Sequence, residues 1–172
     1  MASPSLVSGR ELRDVMSDFA TGVTVVTTRT PDGEPYGFTA NAVTSLSLDP
    51  PLVLVCVATD RRAHDVMQLA GSFAINILSD RQEQVARRFA RTGEDRFRDL
   101  MWSGGESGLP WLIDALGVVE CDRQQVHEGG DHAIFTGLVR SARRYYGRPL
   151  LFFRGEMFGL GRDEGPLTSR AL

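Results

Sequence analysis

Residues 37–57 read GFTANAVTSLSLDPPLVLVCV, and this stretch carries most of the information about the fold of the 172-residue chain. Its second half, from Leu52, is a continuous apolar run, which predicts a fully buried strand. The first half is strand-like at its ends but carries hydroxyl and amide side chains where a core strand would be apolar. Asp49-Pro50-Pro51 separates the two halves, so two strands with a break between them are expected here.

The small and polar residues of the first half allow two interpretations. Gly37, Ala40 and Ala42 would let a flat ligand approach the backbone closely. An edge strand with a solvated polar face would explain the same pattern without a ligand. The density of these residues, and the buried strand after them, favour a ligand. Side chains that can hydrogen-bond heteroatoms or phosphate oxygens belong to Thr39, Asn41, Thr44, Ser45 and Ser47.

The segments around this stretch also predict mostly strands. A turn is predicted at 31–34, and the last third of the chain contains two strands joined at Gly129-Gly130. The other predicted strands are 22–29, 36–48, 52–58, 73–79 and 149–159. A mainly-β chain with peripheral helices, forming an antiparallel sheet or barrel rather than a doubly wound parallel sheet, is therefore expected.

Three helices are predicted between or beside the strands. The first starts at the capping box formed by Ser8 and Glu11 and ends at Gly22. The second covers 60–70, and the third runs from Ser79, which forms a capping box with Gln82, through Phe89. The polar, Gly-rich residues 91–110 predict a long loop that could act as a lid. One face of the first helix is apolar and consists of Leu12, Val15, Met16 and Phe19.

Composition predicts one soluble domain over residues 1–172, with a polar tail at 161–172. The net charge is −3, so no general attraction to nucleic acid or anionic membranes is expected, and all 19 basic residues are arginines. Cys56 and Cys121 lie in apolar contexts, as buried free thiols do in a reducing cytoplasm. With no secretory signal and no apolar run of membrane-spanning length, the expected location is cytoplasmic.

Nucleotide-binding and metal-binding motifs are absent or incomplete. No G-x-G-x-x-G lies between a predicted strand and helix, and a Walker lysine is impossible without lysine. The stretch HEGGDH (127–132) holds four potential metal ligands around two glycines. With Gly129-Gly130 as a two-residue turn, His127 and His132 would pair on one face. Zinc needs three or four protein ligands, and His64 lies far away on a helix, so a hairpin tip without metal is predicted.

The stretch 37–57 and several other segments are similar to those of a known family. GFTANAVTSLSLDPPLVLVCV resembles the flavin-binding motif of the short-chain flavin reductases, the reductase partners in two-component flavin monooxygenases. FATGVTVVTT (19–28), FAINILSDRQEQVARRF (73–89), GGDHAIFTGLV (129–139) and RPLLFFRGEMFGL (148–160) resemble its other segments in the right order, over about residues 12–160. The resemblance implies an antiparallel, Greek-key-like split β-barrel of the FMN-binding type, in a homodimer with the flavin near the subunit interface.

The resemblance also assigns site residues. The backbone of Phe38, Thr39, Ala40 and Asn41 would face the edge of the flavin ring. Ser45 and Ser47 would contact the ribityl chain and phosphate, and Phe89 would lie beside the cofactor unless it is a core residue. Residues near the ring and its phosphate would be Cys56, Val57, Ala58, Thr59, Arg61 and Arg62. Gly130, Asp131 and His132 match the family's dinucleotide motif, and His132 would orient the nicotinamide as the residue closest to the chemistry.

Two arginine groups remain open to more than one interpretation. Arg87, Arg88 and Arg91 lie near a predicted helix end, where positive charge is favourable in any case, although they could contact the pyrophosphate or adenosine of FAD. The segment 140–148 interleaves arginines with Tyr145 and Tyr146, a pattern that can bind single-stranded nucleic acid. In a chain of negative net charge without a nucleic-acid-binding motif, binding of nucleic acid is not expected.

The predicted activity is that of an NAD(P)H:flavin oxidoreductase that uses FMN or FAD with NADH or NADPH. It would supply reduced flavin to a partner flavin-dependent monooxygenase. Hydride transfer asks little acid–base chemistry of the protein, so the absence of a catalytic triad or carboxylate pair agrees with this prediction. Two alternatives remain: a flavin-binding module without turnover, and a flavoprotein that keeps its flavin tightly bound and reduces another acceptor.

Overall fold

The computed structural model describes residues 6–93 and 95–160. Within them, strands form three antiparallel sheets, which confirms the prediction of a mainly-β chain. The helices are α1 (Gly9–Met16), α2 (Arg62–Leu69) and α3 (Glu83–Ala90), the last preceded by a 3-10 turn at Asp80–Gln82. The strands are β1 (Thr21–Gly22), β2 (Thr24–Arg29), β3 (Pro35–Ala40), β4 (Val43–Leu48), β5 (Pro51–Ala58), β6 (Ser72–Ile77), β7 (Trp102–Gly104), β8 (Pro110–Leu112), β9 (Gly117–Gly129), β10 (His132–Arg144), β11 (Leu150–Phe153) and β12 (Glu156–Gly159).

The main sheet contains seven strands in the order β3-β2-β6-β9-β10-β5-β4. Strands β9 and β10 are its longest, at 13 residues each. The outer strands β3 and β4 are separated in sequence by Asn41 and Ala42 alone, yet they do not pair with each other among the described residues. The sheet is therefore open, and one backbone edge of β3 has no strand beside it in this part of the chain.

Two apolar clusters cover opposite faces of β2, because successive side chains of a strand point to opposite faces. Val26 belongs to a cluster that includes Phe73 and Phe135 and reaches α2 through Met67. Val25 belongs to a second cluster under α3 and β11. Both valines are fully buried, so β2 is the central strand of the core. The edge strand β3 is held in place by its pairing with this buried strand.

The segment 37–57 forms two strands on either side of the break, as predicted, but its burial differs from the prediction. In β5 only Val55 and Val57 are buried, and the half-buried residues are Leu52, Val53, Leu54, Cys56 and Ala58. The strand lies next to the edge strand β4, so one of its faces is covered by the core and the other is partly open. The prediction of a fully buried strand was therefore wrong.

Helix α1 begins at the predicted capping box and ends earlier than predicted. The backbone N–H of Glu11 donates to Ser8 Oγ at 3.2 Å, and the Ser8 N–H donates to the Glu11 carboxylate at 2.8 Å. The helix ends at Met16 rather than at Gly22. Its predicted apolar face lies outside the core, because Leu12, Val15, Met16 and Phe19 are each more than half exposed. No helix in the described ranges has the length and apolar character needed to span a bilayer.

The hairpin tip predicted at Gly129-Gly130 is shifted by one residue. His132 lies opposite Gly129, so the turn residues are Gly130 and Asp131. Gly130 has a φ of 74°, a value that the first central residue of a type II′ turn requires. His127 pairs with Ile134, so the two histidines are diagonal neighbours and not the predicted direct pair. Among the described residues, no group of three or more potential ligands could hold a metal ion.

Two further segments contain hairpins where simpler structure was predicted. The final strand expected at 149–159 is the hairpin β11–β12, which turns at Arg154 and Gly155, both at positive φ. The loop expected at 91–110 contains β7, which pairs with β8. These strands are three or four residues long, too short for periodicity to show.

A buried amide ties the β7–β8 hairpin to the main sheet. Asn76 is fully buried in β6, and its Nδ2 donates to the carbonyl of Val25 at 3.1 Å and to Thr27 Oγ1 at 3.0 Å. Its Oδ1 accepts from the backbone N–H of Leu112 at 2.8 Å. Thr27 Oγ1 in turn donates to the carbonyl of Pro110 at 2.6 Å. Both ends of β8 therefore depend on polar side chains buried inside the sheet.

We predict that Asn76→Leu lowers the free energy of unfolding by about 3 kcal/mol, because the buried N–H of Leu112 and the carbonyl of Val25 lose a partner that leucine cannot replace. Urea denaturation followed by circular dichroism measures the change. Gln84→Leu, on the exposed side of α3, is the matched control and should change stability by less than about 0.5 kcal/mol. Equal effects of the two substitutions would contradict the structural role of Asn76.

Candidate functional site

A cavity of about 460 Å³ lies beside the open edge of β3, within the usual volume range of small-molecule sites. Its walls are mostly apolar and come from the ends of β3 and β5, the start of α2, the C-terminal end of α3, the start of β10 and the hairpin β11–β12. The lining residues are Val23, Tyr36, Phe38, Thr39, Ala40, Asn41, Ala42, Cys56, Val57, Ala58, Arg61, Arg62, Ala63, Phe89, Ala90, Thr92, Arg96, His132, Phe152 and Met157.

The cavity brings together most of the residues that the sequence singled out. Those that line it are Phe38, Thr39, Ala40, Asn41, Ala42, Cys56, Val57, Ala58, Arg61, Arg62, Phe89 and His132. Those outside its lining are Ser45, Ser47, Thr59, Gly130 and Asp131, and their contacts with a cofactor stay predictions. The lining residues that the sequence did not assign to the site are Val23, Tyr36, Ala63, Ala90, Thr92, Arg96, Phe152 and Met157. The last two belong to the hairpin taken for one strand, and Arg96 to the segment taken for a loop.

The wall at β3 consists of backbone rather than polar side chains. Thr39 Oγ1 donates to the carbonyl of Ala86 in α3 at 2.6 Å, so this hydroxyl is engaged within the protein. The carbonyl of Ala40 accepts from Thr24 Oγ1 at 2.7 Å. Because β3 is an outer strand, the backbone groups that point away from β2 have no strand partner among the described residues. These N–H and C=O groups can hydrogen-bond the edge of a flat heterocycle.

Gly37 serves a different purpose from the one predicted. A Cβ at this position would lie 2.7 Å from Cε1 of Phe89, closer than real Cβ atoms come, and 3.1 Å from the carbonyl oxygen of Val26, which is tighter than most real contacts. The space that a side chain would take is therefore filled by the Phe89 ring, and not kept free for a ligand. Phe89 is buried, so it is a core residue that also lines the cavity.

The wall at β5 and α2 combines a thiol with two arginines. Cys56 is half-buried, and burial raises the pKa of its thiol above the ordinary value of 9.0, so the thiol is protonated at neutral pH. Arg61 lies 3.3 Å from the carboxylate of Asp60, and both side chains are mostly exposed. The guanidinium of Arg62 lies over the ring of Tyr36, 5.7 Å from its centroid. This end of the cavity is positively charged.

His132 lines the cavity from the start of β10 and is oriented by its neighbour. In β10 it lies opposite Ala58, which places it at the end of β5. Its Nδ1 lies 2.7 Å from the carboxylate of Asp131, and the hydrogen bond from His132 lowers the pKa of Asp131 below its usual value. A proton held on Nδ1 by this carboxylate leaves Nε2 as the hydrogen-bond acceptor in the neutral ring. Asp131 therefore positions His132 from outside the cavity lining.

Thr59 holds the turn that carries His132. Both its backbone N–H, at 3.0 Å, and its Oγ1, at 3.1 Å, donate to the carbonyl of Asp131. The hydroxyl that the sequence suggested for a phosphate is thus engaged with the hairpin tip. Thr59 connects the end of β5 to the start of β10 and keeps Ala58 and His132 side by side.

The remaining arginine groups have contacts within the protein. Arg87 pairs with Glu83 at 2.8 Å, and Arg88 donates to the carbonyl of Arg98 at 2.8 Å. These contacts agree with the interpretation of a charged helix end, and a contact with FAD stays a prediction. In the segment 140–148, Arg140 pairs with Asp122 and Arg143 pairs with Glu106.

Tyr146 is fully exposed and borders a second cavity of about 1050 Å³. That cavity has none of the residues predicted for the cofactor in its lining. The smaller cavity beside β3 is therefore the candidate site.

Comparison with known proteins agrees with this arrangement. The sequence profile of the flavin reductase like domain matches residues 16–161. The chain belongs to this family. A probable flavin reductase from Rhizobium meliloti is 47% identical over 149 residues, which are 87% of this chain and 48% of that protein. This chain therefore spans about half the length of that relative.

Two further relatives match along most of both chains. The reductase subunit of a flavin-dependent monooxygenase from Rhodococcus jostii is 36% identical over 159 residues, covering 92% of this chain and 81% of the subunit. The structure of an NADH:FAD oxidoreductase from Streptomyces globisporus, in complex with NAD and FAD fragments, superimposes with a TM-score of 0.85 at 41% identity. That match covers 94% of this chain and all of the other.

The raised pKa of Cys56 predicts how its thiol reacts. Because the thiolate is the reactive form, alkylation of Cys56 by iodoacetamide should increase across a pH series with a midpoint above 9.0. Cys121, whose pKa is raised to about 12 by burial and by the nearby carboxylates of Asp122 and Glu120, should react only after unfolding. Mass spectrometry of peptides measures both rates, with Cys56→Ser as the control. A midpoint at or below 9.0 for Cys56 would contradict the burial of its thiol.

Proposed function

We propose that this chain is an NAD(P)H:flavin oxidoreductase, which transfers a hydride from NADH or NADPH to FMN or FAD. Reduced flavin then passes to a separate flavin-dependent monooxygenase. One observation carries the proposal: the open backbone edge of β3 and the side chain of His132 line the same cavity, whose walls are mostly apolar. Membership of the family, and the activities named for the Rhodococcus and Streptomyces relatives, support it.

The residues present suit a flavin. The cavity has room for a flat ring system, its β3 wall offers backbone donors and acceptors, and three arginines line it to meet phosphate, namely Arg61, Arg62 and Arg96. No aspartate or glutamate occurs among the described residues that line it, so a phosphate entering the cavity meets no fixed negative charge there. A bound flavin would supply the hydride-accepting ring, which is chemistry that no side chain here possesses.

The protein then has three tasks. The backbone at Thr39 and Ala40 binds the polar edge of the ring, and backbone N–H groups directed at that edge stabilise negative charge that develops there. The apolar side chains of Phe38, Phe152 and Met157 exclude water from the cavity. His132, oriented by Asp131, holds the nicotinamide so that the reacting atoms approach to roughly 3–3.5 Å.

Membership of the family also supports a proposal for the barrel and for a homodimer. We propose that the main sheet, with β11 and β12, is the split barrel of a single domain covering about residues 12–160, and that the chain works as a cytoplasmic homodimer. The exposed apolar face of α1 favours a dimer, because such a face on a short helix is stable when another surface covers it. Arg154 pairs with Asp18 just after α1, which places this face next to the β11–β12 hairpin that lines the cavity.

The experiment that tests the function is NADH and NADPH oxidation by the purified chain, followed at the nicotinamide absorbance band with FMN and FAD added in turn. Turnover that depends on added flavin is the expected result. No turnover in any of the four combinations would overturn the reductase and favour a flavin-binding module. Turnover without added flavin, by a protein that purifies yellow, would favour a flavoprotein that reduces another acceptor.

His132 provides a more specific prediction. His132→Ala should raise the KM for the nicotinamide substrate about tenfold or more, since one orienting contact is lost, and should leave flavin affinity nearly unchanged. Steady-state kinetics and flavin fluorescence titration measure the two quantities. His127→Ala, on the same hairpin and outside the cavity lining, is the matched control and should change neither. Equal loss of both affinities, or of neither, would count against this role of His132.

A further inference from the structure

A buried hydroxyl next to the candidate site has no hydrogen-bond partner. Among the described residues, two buried side-chain polar atoms lack such a partner, namely Thr21 Oγ1 and His64 Nδ1. The His64 nitrogen lies 3.5 Å from the carboxylate of Asp65, with which it can pair when the ring is protonated. For Thr21 Oγ1, no donor or acceptor in the described part of the chain lies in hydrogen-bonding geometry. A buried polar atom of this kind needs an explanation beyond the packing of the chain itself.

The buried threonines of the neighbouring strand show how the fold otherwise treats a hydroxyl. Each of the three in β2 donates to a backbone carbonyl at 2.6 or 2.7 Å, and they are Thr24, Thr27 and Thr28. A buried hydroxyl without a partner loses its hydrogen bonds to water and gains none in return, so it lowers the stability of the folded chain. Thr21 differs from the three in its place, because it lies in β1, at the edge of the three-stranded sheet β1-β11-β12.

The strand pairing places Thr21 directly behind the cavity wall. Thr21 lies opposite Phe152 of β11, which in turn lies opposite Met157 of β12. Residues opposite each other in an antiparallel pair point to the same face of the sheet, with Cβ atoms about 5 Å apart. Phe152 and Met157 both line the cavity, and so does Val23, two residues after Thr21. The side chain of Thr21 therefore belongs to the cavity face of this sheet, one position behind the lining residues.

The small sheet is anchored at both ends. The backbone N–H of Val23 donates to the carbonyl of Leu150 at 3.1 Å, and the N–H of Leu150 donates to the carbonyl of Leu78 at 3.1 Å. At the turn between β11 and β12, Arg154 Nε donates to the carboxylate of Asp18 at 2.6 Å. Strand β1 therefore cannot shift to bring its hydroxyl to a partner within the protein.

We propose that the Thr21 hydroxyl binds an amide group of a ring ligand in the cavity, a role that rests on the proposed function. Both proposed ring ligands carry such a group, since the pyrimidine part of a flavin contains C=O and N–H groups and nicotinamide has a carboxamide. A hydroxyl can donate to the carbonyl or accept from the N–H. A ring that packs against Phe152 brings its polar edge within reach of Thr21. A purely apolar ring would leave the hydroxyl unpaired, so this contact favours an amide-bearing ligand.

The test uses the full chain and measures stability and binding separately. Thr21→Val removes the hydroxyl and keeps the shape of the side chain, and Thr21→Ser keeps the hydroxyl and removes the methyl group. Thr28→Val is the matched control, because Thr28 is buried, lies outside the cavity lining and donates to the carbonyl of Ser72 at 2.7 Å. Urea denaturation without ligand measures stability, and fluorescence titration with riboflavin, FMN and NADH measures affinity.

The two valine variants should change stability in opposite directions. Thr21→Val should raise the urea midpoint of the unliganded protein, because an unpaired hydroxyl is removed, and Thr28→Val should lower it, because a carbonyl loses its donor. Thr21→Val should also weaken the affinity for at least one probe about 3- to 15-fold, the effect of one hydrogen bond, whereas Thr28→Val should leave it unchanged. Losses for riboflavin and FMN would assign the contact to the flavin, and a loss confined to NADH would assign it to the nicotinamide. Thr21→Ser should bind all three probes as the wild-type protein does.

Several results would overturn this role of Thr21. A lower urea midpoint for Thr21→Val, or failure of that variant to fold, would show that the hydroxyl has a partner within the protein. Unchanged affinity for all three probes would show that no ligand reaches it, and weaker dimerisation by sedimentation in that case would assign the hydroxyl to a second copy of the chain. Equal losses in Thr21→Val and Thr21→Ser would show that the shape of the side chain matters and the hydroxyl does not. Failure of the wild-type protein to bind any probe would instead refute the proposed function, and the contact with it.

Discussion

The contact between the Phe89 ring and the backbone of Gly37 is the constraint on which the site depends. A side chain at position 37 has no room, so α3 can lie directly against β3. Thr39 Oγ1 also donates a hydrogen bond to the carbonyl of Ala86, in the turn of α3 that precedes Phe89. The edge of Phe89 then meets Phe97, with 5.1 Å between ring centroids, and Phe97 meets Trp102 at 5.8 Å. Contacts among these three aromatic rings thus connect the edge strand β3 to the β7–β8 hairpin.

This arrangement explains why backbone forms the cavity wall at β3. An edge strand whose inner neighbour is fully buried cannot move far, and its outer hydrogen-bonding groups remain exposed to the cavity. The hydroxyl groups nearby make hydrogen bonds within the protein. Thr39 donates to α3, and Thr59 donates to the turn that carries His132. With backbone groups at the cavity, the side chains of β3 are available for packing. The chemistry of the site then depends on how precisely the fold positions that edge.

The strands of the main sheet could be predicted because long segments carry clear patterns, such as the β-branched residues of β2. The start of α1 could be predicted from its capping box. The register of the strand pairing and the positions of the short strands could not be predicted. The turn between β9 and β10 lies one residue later than predicted. Both Gly129 and Gly130 suit a turn, and only the pairing of His132 with Gly129 shows that the turn begins at Gly130. The hairpin β11–β12 has four-residue strands, too short for a periodic signal, and it supplies Phe152 and Met157 to the cavity.

Arg96 shows a different limit of prediction. Its segment has the composition of a loop, and nothing in the local sequence indicates that its guanidinium reaches the ring of Tyr36, 60 residues earlier in the chain. The chain has a net charge of −3, yet among its described residues the cavity is lined by three arginines and no carboxylate. Overall composition therefore describes the surface and not the site. Negative charge on the remaining surface limits non-specific association with polyanions, while the local excess of arginine retains attraction for small phosphorylated ligands. The expectation from composition that the chain does not bind nucleic acid therefore does not describe the local charge of this cavity.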